Sequence, residues 1–156
     1  MHTNIGLSDQ QRKDIAEALA RLQADSALLY QKTHGFHWNV TGPHFSSLHI
    51  LFEGQYQEIW ESIDEIAERI RALGHMAPGS YATYQELSNI KEEPGHPSWQ
   101  EMLRQLVIDN EAVVQTARKC FDVVDAANDQ ATADVLTTRM VTHEKYAWML
   151  RSMLED

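Results

Sequence analysis

The segment THGFHWNVTGPHFSSLH, residues 33–49, holds four of the chain's eight histidines. Imidazole nitrogen is a common ligand for iron, zinc and other divalent metals, but histidine is also an ordinary surface residue. A Thr-Gly-Pro turn at 41–43 divides the segment, so it is not one continuous helix. The turn can fold His37 back towards His49, which makes these two residues the first candidates for metal binding.

A polar stripe continues from His49 along the helix that is predicted after the turn. With His49 at 0° and about 100° per residue, Glu53, Asp64 and Glu68 fall at about 40°, 60° and 100°. An imidazole and carboxylates on one side of a helix form a usable ligand set for iron or another divalent metal. The alternative is a solvated charged face, which is the commoner explanation for acidic residues on a helix.

The spacing excludes a single chain from bringing both ends of this stripe to one metal ion. His49 and Asp64 are 15 residues apart, which is about 22 Å along a helix. Metal ligands of these types lie about 2.0–2.2 Å from the ion. Two copies of the helix packed antiparallel about residues 56 and 57 would place His49 opposite Asp64 of the partner subunit. Such a two-fold dimer would contain two equivalent sites.

Composition and charge restrict the class of protein. The chain has 156 residues, 43% of them hydrophobic, which predicts one domain spanning 1–156. Its formal charge of -10 disfavours binding of nucleic acid by the folded body. The single Cys120 excludes an internal disulfide and a cysteine-rich zinc site. No apolar run approaches the roughly 20 residues of a membrane span, and the N-terminus lacks the apolar core of a signal peptide. We therefore expect a cytoplasmic protein.

Apolar residues follow helical spacing through nearly the whole chain, and no strand signal is present. A capping box formed by Ser8 and Gln11 predicts a first helix from near Asp9 to about Gly35 or a little beyond. The second helix should stop at Gly74. Both helices carry an apolar stripe that predicts burial of one face.

The second half of the chain begins with a connection at 75–97 that is long for a compact bundle, so it should carry structure of its own. The capping box TYQE at 83–86 predicts a short helix around 83–90, and SWQE at 98–101 should start a third long helix. Asn128 or Asp129 is predicted to cap a fourth. Together these elements predict an all-α fold, a four-helix bundle with a short extra helix in the long crossover between helices two and three.

The block HGFHWNVTGPHFSSLHILFEGQYQEIWESIDEIAERIRALG, residues 34–74, resembles the signature of the Dps family, the starvation-induced DNA-binding mini-ferritins. The resemblance extends over nearly the whole chain through ATADVL and WML near its end. It implies a ferritin-like four-helix bundle that assembles into a hollow shell of twelve subunits built from two-fold dimers. It also implies oxidation of Fe(II), with hydrogen peroxide preferred to dioxygen, storage of the ferric product as a mineral, and protection against oxidative stress.

The resemblance also implies a ligand set for iron between two-fold related subunits. One subunit would supply His37 and His49, with Glu53 nearby, and the other would supply Asp64 and Glu68. Ligand affinity alone would not select iron over zinc.

Further roles are implied for three residues outside this ligand set. Trp38 matches an aromatic residue beside the site that takes up an oxidising equivalent. Asp129 and Asp134, near the start of the fourth long helix, are candidates for a pore that admits iron. The alternative for these acids is helix capping and a favourable helix dipole.

The other histidines and the tryptophans receive simpler interpretations. His34 is more consistent with an ordinary residue than with a metal or supporting role, and His44 with a surface residue. His143 falls on an apolar stripe, which favours a core or interface histidine with one hydrogen bond. Glu93 and His96 have E-x-x-H spacing, but the intervening Pro-Gly predicts a loop. The tryptophans predicted to pack rather than to stack on bases are Trp60, Trp99 and Trp148.

A second function comes from another activity associated with the family, which is DNA compaction in the nucleoid of starved cells. Such compaction usually relies on a flexible basic tail. The seven residues before the first capping box contain no Lys or Arg, and the chain ends in Leu-Glu-Asp. We therefore expect DNA binding to be weak or absent at physiological salt. A third alternative is a helical bundle without catalytic activity whose histidines are incidental.

Overall fold

A computed structural model describes residues 3–155 of the chain, and within that range it contains five helices and no strand. The helices are α1 (Asp9–Asn39), α2 (Phe45–Ala72), α3 (Tyr81–Leu87), α4 (Trp99–Ala126) and α5 (Gln130–Ser152). The hairpin of α1 and α2 packs on the hairpin of α4 and α5, and α3 lies on α1. The predicted all-α bundle with a short helix in the crossover is confirmed. None of the described helices is long and apolar enough to cross a membrane.

Local signals begin and end most of these helices as predicted. Both halves of the capping box at Ser8 are present, and Ser98 caps α4 through the backbone N–H of Glu101. Gly74 follows α2 with φ +92°, a left-handed conformation that glycine adopts without steric cost. Asp129, rather than Asn128, caps α5 by accepting a hydrogen bond from the N–H of Thr132.

The predicted bounds of the short crossover helix are wrong. Ser80 caps it instead of Thr83, and the helix ends at Leu87 rather than near residue 90. The buried carboxylate of Asp25 accepts hydrogen bonds from the Ser88 hydroxyl at 2.8 Å and the Asn89 N–H at 2.7 Å. These bonds hold the chain extended against α1, so the helix does not continue.

The predicted apolar stripes meet in one core. Ile15, Leu19, Leu22 and Leu29 of α1 are buried, and so is the α4 stripe from Leu103 to Val124. The prediction that the tryptophans pack holds for Trp99, which is half-buried against the core. Trp60 is 60% exposed but contacts Tyr30 at a ring-centroid distance of 5.1 Å. The prediction is wrong within the single chain for Trp148, which is 61% exposed.

Candidate metal centre

His37 and His49 lie side by side where α1 ends and α2 begins. Nδ1 of His37 is 2.7 Å from the carbonyl oxygen of His49, and Nδ1 of His49 is 2.8 Å from the carbonyl oxygen of His37. The two rings stack at a centroid distance of 3.8 Å with 19° between their planes. A carbonyl oxygen can only accept, so each Nδ1 carries the hydrogen. In the tautomer with hydrogen on Nδ1 alone, the lone pair of Nε2 in each ring is free for a metal ion.

The turn between the two helices makes this reciprocal pair possible. Gly42 has φ +107°, and a Cβ at this position would lie 3.2 Å from the Trp99 ring. Glycine therefore suits position 42 for two reasons, because it adopts a positive φ without steric cost and because it leaves room for the Trp99 ring. Val40 and Leu48 are buried on either side of the turn and anchor it to the core. Because the pair is held by backbone oxygens, its geometry depends on the positions of both helix ends.

The acidic candidates are divided between the two ends of α2. Glu53 is half-buried one helical turn after His49, whereas Asp64 and Glu68 are exposed further along. α2 is unbroken from Phe45 to Ala72, so His49 and Asp64 are separated by about 22 Å at 1.5 Å per residue. Among residues 3–155, no group of three or more His, Cys, Asp or Glu side chains converges on a point where a metal ion could sit. One chain therefore presents two separated parts of a ligand set.

An aromatic cluster, which we define as Tyr30, His34, Trp38, Tyr56 and Trp60, adjoins the histidine pair. The His34 ring stacks on Tyr56 at 3.9 Å and lies 4.1 Å from Trp38, and Tyr56 lies 5.2 Å from His37. Tyr30 lies 5.1 Å from Trp60, and its hydroxyl is 3.1 Å from Nδ1 of His34. The i, i+4 spacing of aromatic residues on α1 and α2 was the available sequence signal for this cluster. Of its members, Trp38 alone was predicted to lie beside the site.

Burial shifts the pKa values of two members of the cluster. It raises the pKa of the Tyr30 phenol, with smaller contributions from Tyr81 and Tyr56. It lowers the pKa of His34, and the neighbouring His37 lowers it further. Both shifts favour the uncharged side chains, so Tyr30 and His34 meet as a neutral hydrogen-bonded pair.

The two candidate pore acids occupy different environments near the start of α5. Asp129 is buried, and its carboxylate accepts hydrogen bonds from Arg69 at 3.0 Å and from the Thr132 hydroxyl. Burial alone would raise the pKa of Asp129, but the bonds from Thr132 and Arg69 outweigh it and lower the pKa. Asp134 is exposed. Asp129 therefore acts as a helix cap in this chain, and the pore role of both acids stays a prediction.

Three further histidines, His143, His44 and His96, lie in the environments that the sequence predicts. His143 is fully buried, with Nδ1 2.7 Å from Oδ1 of Asn110, so the predicted core histidine is confirmed. His44 is exposed, as predicted. Glu93 and His96 lie in the irregular segment before α4, where Glu93 accepts hydrogen bonds from Gly95 and Gln105, and this confirms the predicted loop.

Comparison with known proteins agrees with this architecture. The family model described as a ferritin-like domain matches residues 16–156. A low temperature-induced protein of Nostoc sp. is 46% identical over 97% of this chain and 86% of its own length. The DNA protection during starvation protein of Brevibacillus brevis is 40% identical over 90% of this chain and 95% of its own length.

A solved structure extends the likeness to three dimensions. The Dps protein from Vibrio cholerae O1 is described as a member of a broad superfamily of ferritin-like diiron-carboxylate proteins. It matches this chain with a TM-score of 0.94 and 31% identity, covering 99% of this chain and 98% of that one. The chain belongs to the Dps family of ferritin-like proteins.

Proposed function

We propose that this protein oxidises Fe(II) and stores the ferric product, using sites that form between two subunits. The observation that carries the proposal is the reciprocal hydrogen bonding of His37 and His49, which leaves Nε2 of both rings free. Histidine ligands in metal sites typically donate their other ring N–H to a carbonyl or carboxylate, which orients the ring and raises its basicity. Imidazole nitrogen together with carboxylate oxygen is a ligand set that Fe(II) accepts. The description of the Vibrio cholerae structure as a diiron-carboxylate protein supports iron as the metal.

The missing carboxylates would come from a second copy of the chain. Antiparallel packing of two α2 helices about residues 56 and 57 sets His49 opposite Asp64 of the partner subunit and brings Glu68 of the partner subunit towards the turn. Asp64 and Glu68 are exposed on the single chain, so they are available for such an interface. We assign Glu53 to the same site as His37 and His49. Two-fold symmetry then gives two equivalent sites for each dimer.

The chemistry follows from the ligand types. Two neutral imidazoles hold Fe(II), and the carboxylates, which carry negative charge, stabilise Fe(III) more strongly than Fe(II) and so favour oxidation. We propose hydrogen peroxide as the preferred oxidant, because it accepts two electrons from two Fe(II) ions and leaves as water. Trp38, exposed beside the cluster, is our candidate for taking up a stray oxidising equivalent. We also propose that twelve subunits assemble in the cytoplasm into a hollow shell that encloses the ferric mineral.

Oxidation of Fe(II) by a sub-stoichiometric pulse of hydrogen peroxide, without oxygen, tests the proposed site. Ferric absorbance should rise rapidly in the wild type and only slowly in Asp64→Ala/Glu68→Ala. Asp14→Ala/Glu17→Ala is the matched control, because it removes two exposed carboxylates from α1, away from the site. Equal rates in the wild type and the Asp64/Glu68 variant would reject the carboxylate assignment.

Mixing two inactive variants tests whether the site spans two subunits. His37→Ala/His49→Ala and Asp64→Ala/Glu68→Ala are dissociated, combined in equal amounts and reassembled. Random pairing should restore about a quarter of the sites, because half of the dimers are mixed and each mixed dimer has one intact site. No recovery despite reassembly would contradict a shared site.

DNA binding is the second candidate function, and the name of the Brevibacillus brevis relative favours it. We propose that this chain protects DNA by removing iron and peroxide, with weak or absent binding to DNA itself. A formal charge of -10 opposes contact with phosphates. A mobility-shift assay at about 0.15 M salt should show no retained complex. A tight complex under these conditions would reverse the assignment.

A further inference from the structure

We propose that the hydrogen-bonded pair of Tyr30 and His34 is a built-in electron donor for the iron site. The inference rests on the proposed function and names a residue that takes part when a site holds too little iron. Peroxide must receive two electrons, but a single Fe(II) supplies only one. The second electron must then come from the protein, or a reactive oxygen radical escapes.

A continuous path of ring contacts connects the histidine pair to Tyr30. Tyr56 lies 5.2 Å from His37 and stacks on His34 at 3.9 Å with 16° between the planes. The His34 ring is 5.5 Å from the Tyr30 ring. Each step is a direct ring neighbour, so an electron can pass from Tyr30 to the site without crossing a gap in the packing.

Within the aromatic cluster, Tyr30 is favoured as the electron donor because its hydroxyl lies within hydrogen-bond distance of His34. Removing an electron from a phenol makes its proton strongly acidic, so oxidation is easiest where a base already accepts a hydrogen bond from that hydroxyl. The Tyr30 hydroxyl is 3.1 Å from Nδ1 of His34, which accepts when its ring carries the hydrogen on Nε2. Trp38 has no acidic hydroxyl, and it is 59% exposed. Tyr30 is half-buried, where a radical is better shielded from other molecules.

The proposed step balances in atoms and electrons. The O–O bond of hydrogen peroxide breaks, and two water molecules leave after uptake of two electrons and of two protons from solvent. One electron comes from Fe(II), which becomes Fe(III). The other comes from Tyr30, which becomes a neutral tyrosyl radical as its phenolic proton moves to Nδ1 of His34. A second Fe(II) arriving later can return the electron to Tyr30, and the proton moves back from His34.

Electron paramagnetic resonance after rapid freezing tests the proposal. Wild-type protein with less than one Fe(II) per site is mixed with hydrogen peroxide, and a tyrosyl signal is expected. Labelling with ring-deuterated tyrosine should narrow that signal, which distinguishes it from a tryptophan radical. Tyr30→Phe keeps the ring but removes the hydroxyl, and it should lose the signal and release more hydroxyl radical to a spin trap. Tyr84→Phe, which also removes a hydrogen-bonded hydroxyl, and Trp38→Phe should keep the signal.

Two further measurements separate a role in electron donation from a role in structure. His34→Gln removes the base, and it should weaken the tyrosyl signal while iron oxidation at saturating Fe(II) stays at the wild-type rate. Tyr30→Phe should likewise keep the wild-type rate at saturating Fe(II), where the second electron comes from iron. An undiminished tyrosyl signal in Tyr30→Phe, or no signal in a wild type that oxidises iron, would overturn the assignment of Tyr30. A wild type that does not oxidise Fe(II) would reject the proposed function, and the inference with it.

Discussion

His143 and the pair of His37 and His49 place the same side chain in two contrasting environments. His143 lies inside the bundle with Nδ1 against Asn110, and burial, with a smaller contribution from Arg139, lowers its pKa to about 3. His37 and His49 lie beside the turn that joins α1 to α2, where backbone carbonyls hold their Nδ1 atoms. In all three rings Nδ1 is engaged, but Nε2 of His143 is buried in the core without a partner. The difference shows that metal-binding capacity depends on whether Nε2 can be reached by an ion as well as on the number of histidines nearby.

The largest expected effect is loss of stability on removing the core histidine. His143→Ala should lower the free energy of unfolding by about 2–5 kcal/mol, because it leaves a cavity and a buried amide oxygen without its partner. Urea unfolding at a fixed protomer concentration measures this change. Iron oxidation per folded protein should be unchanged. A stability loss below about 1 kcal/mol would show that the core tolerates the vacancy.

The next effect concerns function rather than stability. His49→Ala should slow peroxide-driven oxidation of Fe(II) by at least about tenfold, since it removes a proposed ligand and the hydrogen bond that orients the turn. The free energy of unfolding should change by only about 1 kcal/mol, because His49 is half-buried and makes one hydrogen bond to backbone. Stopped-flow absorbance and urea unfolding measure the two quantities. A variant that retains the full rate would remove His49 from the ligand set.

The pH dependence of the free energy of unfolding tests the buried environment of His143, which the pair of His37 and His49 does not share. The unfolded chain protonates His143 below its ordinary pKa of 6.5, whereas the folded protein does so only near pH 3. Between these values the unfolded state binds more protons, so the stability contributed by this group is complete above pH 6.5 and is lost as the pH falls. The loss is at most about 1.4 kcal/mol for each pH unit. The free energy of unfolding of wild type and His143→Gln, measured at pH values on both sides of 6.5, isolates this contribution. Parallel plots of that free energy against pH for the two proteins would contradict the lowered pKa of His143.

The smallest effect is expected at an exposed histidine close to the pair. His44 precedes α2 and touches the edge of Trp99, with a centroid distance of 4.7 Å. His44→Ala should change the free energy of unfolding by less than about 0.5 kcal/mol, with no change in iron oxidation. Thermal unfolding and the peroxide assay check this together. A marked loss of activity would extend the metal site beyond the two histidines proposed.

Most helix bounds could be predicted because their causes are local. Ser8, Ser98 and Asp129 satisfy backbone N–H groups within three residues, and Gly74 supplies a conformation that other residues avoid. The end of α3 could not be predicted in this way. The helix stops at Leu87, where Asp25, distant in sequence, accepts hydrogen bonds from Ser88 and Asn89.

The sequence alone determined the residue types of the candidate site, the single side of α2 on which they lie, and the length that prevents one chain from closing it. These properties follow from helical periodicity and rise, which depend only on position along the chain. Tertiary structure decided that Nδ1 of each histidine meets the other's carbonyl, and that Tyr30 meets His34 within a cluster drawn from α1 and α2. Such contacts depend on distances and orientations between two packed helices. They cannot be predicted from the spacing of side chains along either helix alone.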